Sequence, residues 1–176
     1  MSDPTPESSA HAHRRSAPSS LRAAVITVSD TRSLETDSGG QKVAELLEGA
    51  GHVVVAREIV KDEPSEIAQA LARALAQPDL QAVVLTGGTG VAPRDVTPEA
   101  IAPLLEREIP GFGELFRMLS FAEIGSAALL SRATAGIAGG AVVFALPGSR
   151  GAIQLAMERL ILPELGHLAA EALKGR

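Results

Sequence analysis

The sequence predicts an α/β protein whose mostly parallel sheet is covered by helices on both faces. Short apolar, β-branched runs alternate with segments of helical periodicity along most of the chain. The apolar runs are nearly continuous, as expected for strands that are buried on both faces. A length of 176 residues with 45% hydrophobic residues is enough for one domain with a full core.

Two strand–helix units precede a third strand in the first half of the chain. Strands are predicted over residues 22–28, 52–60 and 82–85, and helices over residues 38–50 and a later segment that ends at residue 77. Gly51 stands where glycine commonly ends a helix, and Pro64 marks the start of the second helix. Strands connected in this way form right-handed crossovers and run parallel to one another.

The second half is predicted to contain several helices and a hairpin, with residues 127–131 finishing a helix between the first of these and the hairpin. The helices are expected over residues 97–107, 150–161 and 163–174, and the strands over residues 132–138 and 141–145. Gly139 and Gly140 lie between these strands and are typical of a tight hairpin turn. The hairpin places an antiparallel edge strand beside a central strand.

A stripe of large apolar residues follows the predicted helix at residues 97–107. Phe112, Leu115, Phe116 and Leu119 recur at helical spacing, with Phe121 just beyond them. Such a stripe either packs into the core or forms a contact between subunits, and the sequence leaves both interpretations open.

Composition argues against several classes of protein. A net charge of −5 is unsuited to binding a nucleic acid backbone, and 2% aromatic residues argue against base stacking. The absence of cysteine excludes disulfides and thiolate sites, and it fits a cytoplasmic protein. Residues 1–20 have the composition of a disordered tail, so residues 21–176 are expected to form the single domain. No segment predicts a signal peptide or a membrane span.

A glycine-rich loop, Thr86-Gly87-Gly88-Thr89-Gly90, follows the third predicted strand, and Thr97-Pro98-Glu99 then has the features of a helix start. Such a loop can present backbone N–H groups to an anion such as phosphate. It matches neither a Walker A loop nor a GxGxxG dinucleotide fingerprint. A tight turn that binds nothing is the other interpretation of these residues.

Four loops are expected to meet at the carboxyl edge of the predicted sheet, where ligands bind in folds of this class. They are Ser29-Asp30, Lys61-Asp62, residues 86–95, and Pro147-Gly148-Ser149. Together they would gather acids, hydroxyls, a glycine loop and helix N-termini. This convergence predicts a ligand site more strongly than any single motif does.

Asp62 and Asp95 are the best candidates for a magnesium pair at that edge. Carboxylates from two loops can hold Mg²⁺ while the ion bridges nucleotide phosphates. Each has another interpretation, because Asp62 can cap the helix that begins at Pro64 and Asp95 can form an ion pair with Arg94. Asp30 is either a third acid or part of an Asx turn.

Lys61, Arg94 and Arg150 lie beside these loops and can supply positive charge to an anionic substrate. Other chemistries have little support. No serine lies in a Gly-x-Ser-x-Gly elbow, as a serine hydrolase of that class requires. The glycine loop and ribose-binding acid of a nucleotide-dependent oxidoreductase are also missing.

Several of these segments, in this order, resemble the MoaB/Mog family of molybdenum cofactor biosynthesis proteins, which includes gephyrin-like G domains. They are Thr27-Val28-Ser29-Asp30, Asp37-Ser38-Gly39, Val60-Lys61-Asp62-Glu63, Thr86-Gly87-Gly88-Thr89-Gly90, Pro93-Arg94-Asp95-Val96-Thr97-Pro98-Glu99-Ala100, Pro110-Gly111-Phe112-Gly113-Glu114, Leu130-Ser131-Arg132 and Leu146-Pro147-Gly148-Ser149. As an ordered set they are highly specific, and residues 111–125 resemble the MoaB branch most.

The resemblance implies a three-layer α/β fold that assembles as a homotrimer, or as a homohexamer of two trimers. It implies adenylation of the phosphate of molybdopterin, a pterin dithiolene, with ATP and Mg²⁺. Asp62 and Asp95 correspond to the family's two important aspartates and would be the catalytic residues and metal ligands. The implied substrate-binding residues are Ser29, Asp30, Thr86, Gly87, Gly88, Thr89, Gly90, Ser120, Ser131, Pro147, Gly148 and Ser149.

Two activities are compatible with this resemblance. Some MoaB-branch proteins depart from the pattern at the acidic positions and are thought not to adenylate. Here Asp62 and Asp95 are both present, and the run Pro93-Arg94-Asp95-Val96-Thr97-Pro98-Glu99 is intact. The sequence therefore favours an adenylyltransferase over a non-catalytic molybdopterin carrier.

Overall fold

The computed structural model describes residues 18–174, which form a six-stranded sheet with helices on both faces. The strands are β1 (Arg22–Val28), β2 (Val53–Val60), β3 (Ala82–Thr86), β4 (Arg107–Glu108), β5 (Thr134–Ala138) and β6 (Ala141–Leu146). The helices are α1 (Ser38–Gly49), α2 (Pro64–Leu75), α3 (Thr97–Ile101), α4 (Pro110–Ile124), α5 (Arg150–Ala156) and α6 (Leu162–Leu173). Short 3-10 segments follow α3 and α4, and a π-helical segment, Met157–Ile161, joins α5 to α6.

The strand order is β2-β1-β3-β6-β5-β4. The first four strands in this order are parallel, whereas β5 runs antiparallel to β6 and pairs with the two-residue strand β4. This arrangement confirms the predicted fold class. The predicted hairpin turn is also present, since Gly139 and Gly140 have φ angles of +57° and +84°.

Apolar layers fill the space on both sides of the sheet. On one side α1, α4, α5 and α6 pack over Val84 and Phe144, and on the other α2 and α3 pack over Leu85 and Val143. Successive residues of β3 therefore enter opposite layers, and all five residues of that strand are buried. This explains the continuous apolar run in the sequence. The central strands are thus held rigidly, and their carboxyl ends support the loops of the site.

The helix predicted over residues 97–107 is shorter than expected. The α-helix ends at Ile101, and a 3-10 turn over Ala102–Leu104 follows it. Pro103 lies within this turn, and it has no N–H with which to continue an α-helix. The chain then extends, and Arg107 and Glu108 pair with β5. The sequence did not predict β4, because a two-residue strand has no periodicity of its own.

The apolar stripe on α4 divides between the core and the surface. Phe112 and Phe116 are buried, and the ring of Phe112 packs edge-on against Phe144 with centroids 5.2 Å apart. Leu115 and Phe121, by contrast, are 47% and 63% exposed. The core interpretation therefore holds for Phe112 and Phe116, whereas a contact between subunits stays a prediction for Leu115 and Phe121.

Two expectations concern the ends and surface of the chain. The tail predicted over residues 1–20 lies outside the described residues except for its last three. Across residues 18–174, no helix is both long and apolar enough to cross a membrane.

Candidate functional site

The loops that leave β1, β2, β3 and β6 meet at one edge of the sheet, as predicted. The ends of the strands are in register, with Val28 opposite Val60 and Thr86 opposite both Thr27 and Leu146. The N–H of Gly87 continues the ladder by donating to Leu146 O at 3.0 Å. The site therefore rests on the buried strands β1, β3 and β6 and on the edge strand β2.

The glycine loop follows β3 and approaches its neighbours too closely to tolerate side chains. Gly87 and Gly88 have φ angles of +103° and +64°, in the region that favours glycine. A Cβ on Gly87 would lie 2.2 Å from Val28 O, and a Cβ on Gly88 would lie 2.7 Å from Asp62 Oδ1. The glycines thus let the loop pass directly against β1 and against the loop that carries Asp62.

The carbonyl groups of the loop are all held by two residues. Thr97, at the start of α3, donates its hydroxyl to Gly87 O at 2.9 Å and its N–H to Gly88 O at 3.0 Å. Arg132 donates its backbone N–H to Thr89 O at 2.8 Å and its Nε–H to Gly90 O at 2.7 Å. Four successive carbonyls, from residue 87 to residue 90, are therefore anchored.

The N–H groups on the other side of the same four peptides are unpaired. Those of Gly88, Thr89, Gly90 and Val91 donate to no acceptor within the described part of the chain. Because a trans peptide directs its C=O and N–H in opposite directions, anchoring the carbonyls directs these donors away from Thr97 and Arg132. Consecutive unpaired N–H groups form a concave site for an anion such as phosphate.

Asp62 lies beside this loop with one carboxylate oxygen unpaired. Its Oδ1 is buried and has no hydrogen-bond partner. Partial burial raises the pKa of Asp62, and the negative charges of Asp30 and Asp95 raise it further. The helix-cap interpretation does not hold, because Glu63 is the N-cap residue of α2 and no side chain caps that helix.

Asp95 approaches the loop from the opposite end. Its Oδ2 accepts from the N–H of Ala92 at 2.9 Å, and it would lie 2.6 Å from a Cβ on Gly90. The ion-pair interpretation does not hold either, because Arg94 contacts other acids. Its guanidinium lies 2.6 Å from Asp30 and 3.0 Å from Glu63.

Asp62 and Asp95 are the residues that could hold a magnesium ion shared with a substrate. Between residues 18 and 174 there is no group of three His, Cys, Asp or Glu residues that could hold a metal by itself. Mg²⁺ commonly binds to one or two carboxylates and takes its other ligands from phosphates and water. The unpaired Oδ1 of Asp62 is a ready ligand of this kind. A phosphate in the N–H cradle would complete the coordination.

Asp30 and Ser29 shape the site from the end of β1. Asp30 Oδ1 accepts from the N–H of Asp62 at 3.2 Å, and Asp30 Oδ2 accepts from Arg94. The hydrogen bond from Arg94 lowers the pKa of Asp30, so this carboxylate stays ionised. The turn after β1 is made instead by Ser29, whose hydroxyl accepts from the N–H groups of Thr31 and Arg32 at 3.3 Å.

A cavity of about 280 Å³ opens on the other side of the glycine loop. Six of the predicted substrate-binding residues line it: Thr89, Gly90, Ser120, Ser131, Pro147 and Ser149. Much of the remaining wall is apolar and includes Phe116 and Leu155. The hydroxyl of Thr89 is buried and has no partner, so it is free to bind a ligand. Ser120 therefore lines the same cavity as Ser131 and Ser149.

The other predicted residues lie outside this cavity. Gly87 and Gly88 are on the side of the aspartates, and Gly148 packs beside Gly87. The hydroxyl of Thr86 is buried and lies 3.4 Å from Pro147 O, so it links two loops without facing a ligand. The predicted set thus divides into residues that line the cavity and residues that lie outside it.

Sequence reasoning missed several residues that shape the site. Arg132 and Thr97 anchor the loop through contacts that no local pattern reveals. Asp37 is 3% exposed, caps α1 through Gly40 N and accepts from the Thr27 hydroxyl at 2.9 Å. Among the described residues that line the cavity, Glu123 is the only charged one. A buried N-cap aspartate could have been recognised from the Asp37-Ser38-Gly39 segment, whereas the other contacts depend on the tertiary fold.

Comparison with known proteins agrees with this architecture. A family model described as a probable molybdopterin binding domain matches residues 24–167. The molybdenum cofactor biosynthesis protein B of Halalkalibacterium halodurans is 52% identical over 165 residues, which cover 93% of this chain and 97% of that protein.

Solved structures give the same result. A crystal structure of a molybdenum cofactor biosynthesis protein B has a TM-score of 0.86 at 54% identity, covering 89% of this chain and 98% of the other. The tungsten cofactor synthesizing protein MoaB from Pyrococcus furiosus has a TM-score of 0.80 at 40% identity, covering 89% and 99%. This chain therefore belongs to the MoaB family of molybdenum cofactor biosynthesis proteins.

Proposed function

We propose that this protein binds molybdopterin and adenylates it with ATP and Mg²⁺, giving adenylyl-molybdopterin and pyrophosphate. The observation that carries the proposal is the row of four unpaired N–H groups, residues 88–91, with an aspartate at each end. Neutral donors alone would serve any small anion. Two carboxylates beside them favour an anion that arrives with a divalent cation, as ATP does.

In the proposed reaction, an oxygen of the molybdopterin phosphate attacks the α-phosphorus of ATP. The bond between that phosphorus and the α–β bridging oxygen breaks, and pyrophosphate leaves with the electron pair. The N–H groups of residues 88–91 would hold phosphate oxygens in line for this displacement. Asp62 and Asp95 would hold Mg²⁺, which neutralises the charge that develops on the leaving group.

The cavity on the other side of the loop suits the pterin ring. Its apolar wall and the hydroxyls of Ser120, Ser131 and Ser149 match a flat heterocycle with polar edges. Glu123 would repel a phosphate but can accept hydrogen bonds from two adjacent donors. A pterin offers such a pair in its ring N3–H and 2-amino group, whereas adenine has only its 6-amino group beside an acceptor.

The proposed assembly is a homotrimer, or a homohexamer of two trimers, in the cytoplasm. Leu115, Met118 and Phe121 form an exposed apolar row along α4, and Leu129 in the following 3-10 segment is 80% exposed. Apolar rows of this kind are commonly covered by another subunit. Light scattering on the intact chain tests this proposal, and a monomeric mass would contradict it.

The activity is tested by incubating the protein with molybdopterin, ATP and Mg²⁺ and measuring pyrophosphate. We expect pyrophosphate and adenylyl-molybdopterin in equal amounts, with none formed when either substrate or Mg²⁺ is omitted. Molybdopterin binding without product, under conditions in which ATP also binds, would refute the proposed transfer. The same result would support the alternative function, a carrier that holds molybdopterin independently of ATP.

A further inference from the structure

Arg132 contacts the glycine loop and the Asp95 segment at once, although it is distant from both in sequence. Its Nε–H donates to Gly90 O at 2.7 Å, and its Nη2 donates to the backbone oxygen of Asp95. Its remaining guanidinium nitrogen pairs with Glu99, in the first turn of α3. Its own N–H donates to Thr89 O at 2.8 Å. One residue thus fixes both sides of the proposed phosphate site.

We propose that Arg132 is a positioning residue that sets the direction of the loop peptides and thereby creates the phosphate cradle. This inference rests on the proposed function, because it assigns a residue to the same site. The carbonyls of Thr89 and Gly90 face Arg132, so the N–H groups of Gly90 and Val91 face away from it. Arg132 acts through the main chain, and it does not itself bind the substrate.

The glycines explain why such an anchor is needed. Glycine has access to both signs of φ, so a peptide that follows one can turn over at little cost. If the carbonyl of Gly90 turned toward the ligand, it would place a partial negative charge where the phosphate binds. The guanidinium prevents this by holding the carbonyl with a charge-assisted hydrogen bond. Thr97 holds the first two carbonyls with neutral hydrogen bonds from its hydroxyl and its N–H.

The shape of the Arg132 side chain distinguishes a positioning role from a simple electrostatic effect of its positive charge. The planar guanidinium reaches Gly90 O, the oxygen of Asp95 and Glu99 through different nitrogens at the same time. A lysine ammonium carries the same charge on a single nitrogen and cannot span these acceptors. Substitution by lysine therefore retains the charge and removes the positioning contacts.

The experiment compares the affinity of four intact proteins for inorganic pyrophosphate with Mg²⁺ by titration calorimetry. They are the wild type, Arg132→Lys, Arg132→Gln and the control Arg107→Gln, which removes an exposed charge from β4. β4 pairs with the half of β5 that lies far from the site edge, so the control leaves the loop untouched. We expect both Arg132 variants to bind roughly tenfold more weakly, about the contribution of one hydrogen bond. The control should stay within about twofold of the wild type.

Three results would overturn the proposal or its basis. Wild-type affinity in Arg132→Lys would show that charge alone suffices, and equal losses in Arg132→Gln and Arg107→Gln would show a general charge effect. If the wild type does not bind pyrophosphate, the proposed phosphate site fails, and the role of Arg132 fails with it.

Amide spectra give a second readout that also shows whether each variant is folded. In the wild type, pyrophosphate should shift the backbone N–H signals of residues 88–91 most strongly. Because the Arg132 side chain holds only the Gly90 carbonyl of the loop, Arg132→Lys should reduce the shift of the Val91 N–H most, while the rest of the spectrum stays the same. If other amides respond in the wild type, the phosphate does not bind where Arg132 has positioned the loop, and the inference is wrong.

Discussion

Replacing Gly88 by alanine tests whether the glycine loop must approach Asp62 as closely as the structure shows. Gly88 has a φ angle of +64°, and an added Cβ would lie 2.3 Å from Thr97 Oγ1 and 2.7 Å from Asp62 Oδ1. The substitution therefore combines an unfavourable backbone conformation with steric overlap against Thr97 Oγ1, which anchors the loop, and Asp62 Oδ1, the proposed metal ligand.

Gly51→Ala is a matched control that separates these two effects. Gly51 follows the end of α1 with a φ angle of +87°, and the nearest atom to its added Cβ is Ser19 O at 4.0 Å. The left-handed conformation costs a non-glycine residue about 1–2 kcal/mol, and this is the whole cost expected for Gly51→Ala. Overpacking typically adds about 1–3 kcal/mol, so Gly88→Ala should lose about 2–5 kcal/mol.

Thermal melting and pyrophosphate binding with Mg²⁺ measure the two consequences. For a chain of this size, 1 kcal/mol corresponds to about 2–4 °C in melting temperature. We expect Gly51→Ala to melt about 2–8 °C lower and to bind pyrophosphate normally, and Gly88→Ala to melt lower still and to lose binding. Equal melting temperatures and equal binding for the two variants would refute the close approach of the loop to Asp62.

Three further substitutions test the charges of the site. Burial and the neighbouring acids raise the pKa of Asp62, so its ionisation opposes folding at pH 7. Asp62→Asn should therefore raise the melting temperature at pH 7 and abolish turnover. The gain in stability should disappear once the pH falls below the usual range of aspartate titration, because wild-type Asp62 is then protonated in both the folded and the unfolded state. A lower melting temperature at pH 7 would contradict this. Asp95→Asn should remove Mg²⁺-dependent pyrophosphate release and leave the circular dichroism spectrum unchanged, whereas retained activity would exclude Asp95 as a metal ligand. Glu123→Gln should weaken pterin binding about tenfold without changing pyrophosphate binding. Glu114→Gln, on the exposed side of the same helix, should change neither pterin binding nor pyrophosphate binding. Pterin fluorescence measures pterin binding for both variants, because the chain has no tryptophan or tyrosine.

The parts of the fold that depend on burial were predictable from the sequence. The sequence of β3 is a continuous apolar run because the strand is buried on both faces. The pair Gly139-Gly140 predicts a turn because both residues adopt positive φ angles. β4 was not predictable, because a strand of two residues exists only through its pairing with β5. The end of α3 at Ile101 was missed because the helical spacing continues past Pro103.

The candidate site was predictable as a set of loops but not as a network of contacts. The positions of Asp62 and Asp95 after parallel strands indicated that they share one edge of the sheet. Whether Arg94 would pair with Asp95 or with Asp30 depends on how the loops fold over each other, and the structure selects Asp30. Arg132 lies 42 residues from Gly90, so its anchoring contact leaves no local trace in the sequence.

A crystal structure with a non-hydrolysable ATP analogue and Mg²⁺ tests most directly whether the glycine loop binds phosphate and the two aspartates hold the ion. We expect phosphate oxygens to accept hydrogen bonds from the N–H groups of residues 88–91, with the ion held between the carboxylates of Asp62 and Asp95. Phosphates bound in the cavity beside Glu123, or an ion that touches neither aspartate, would contradict it.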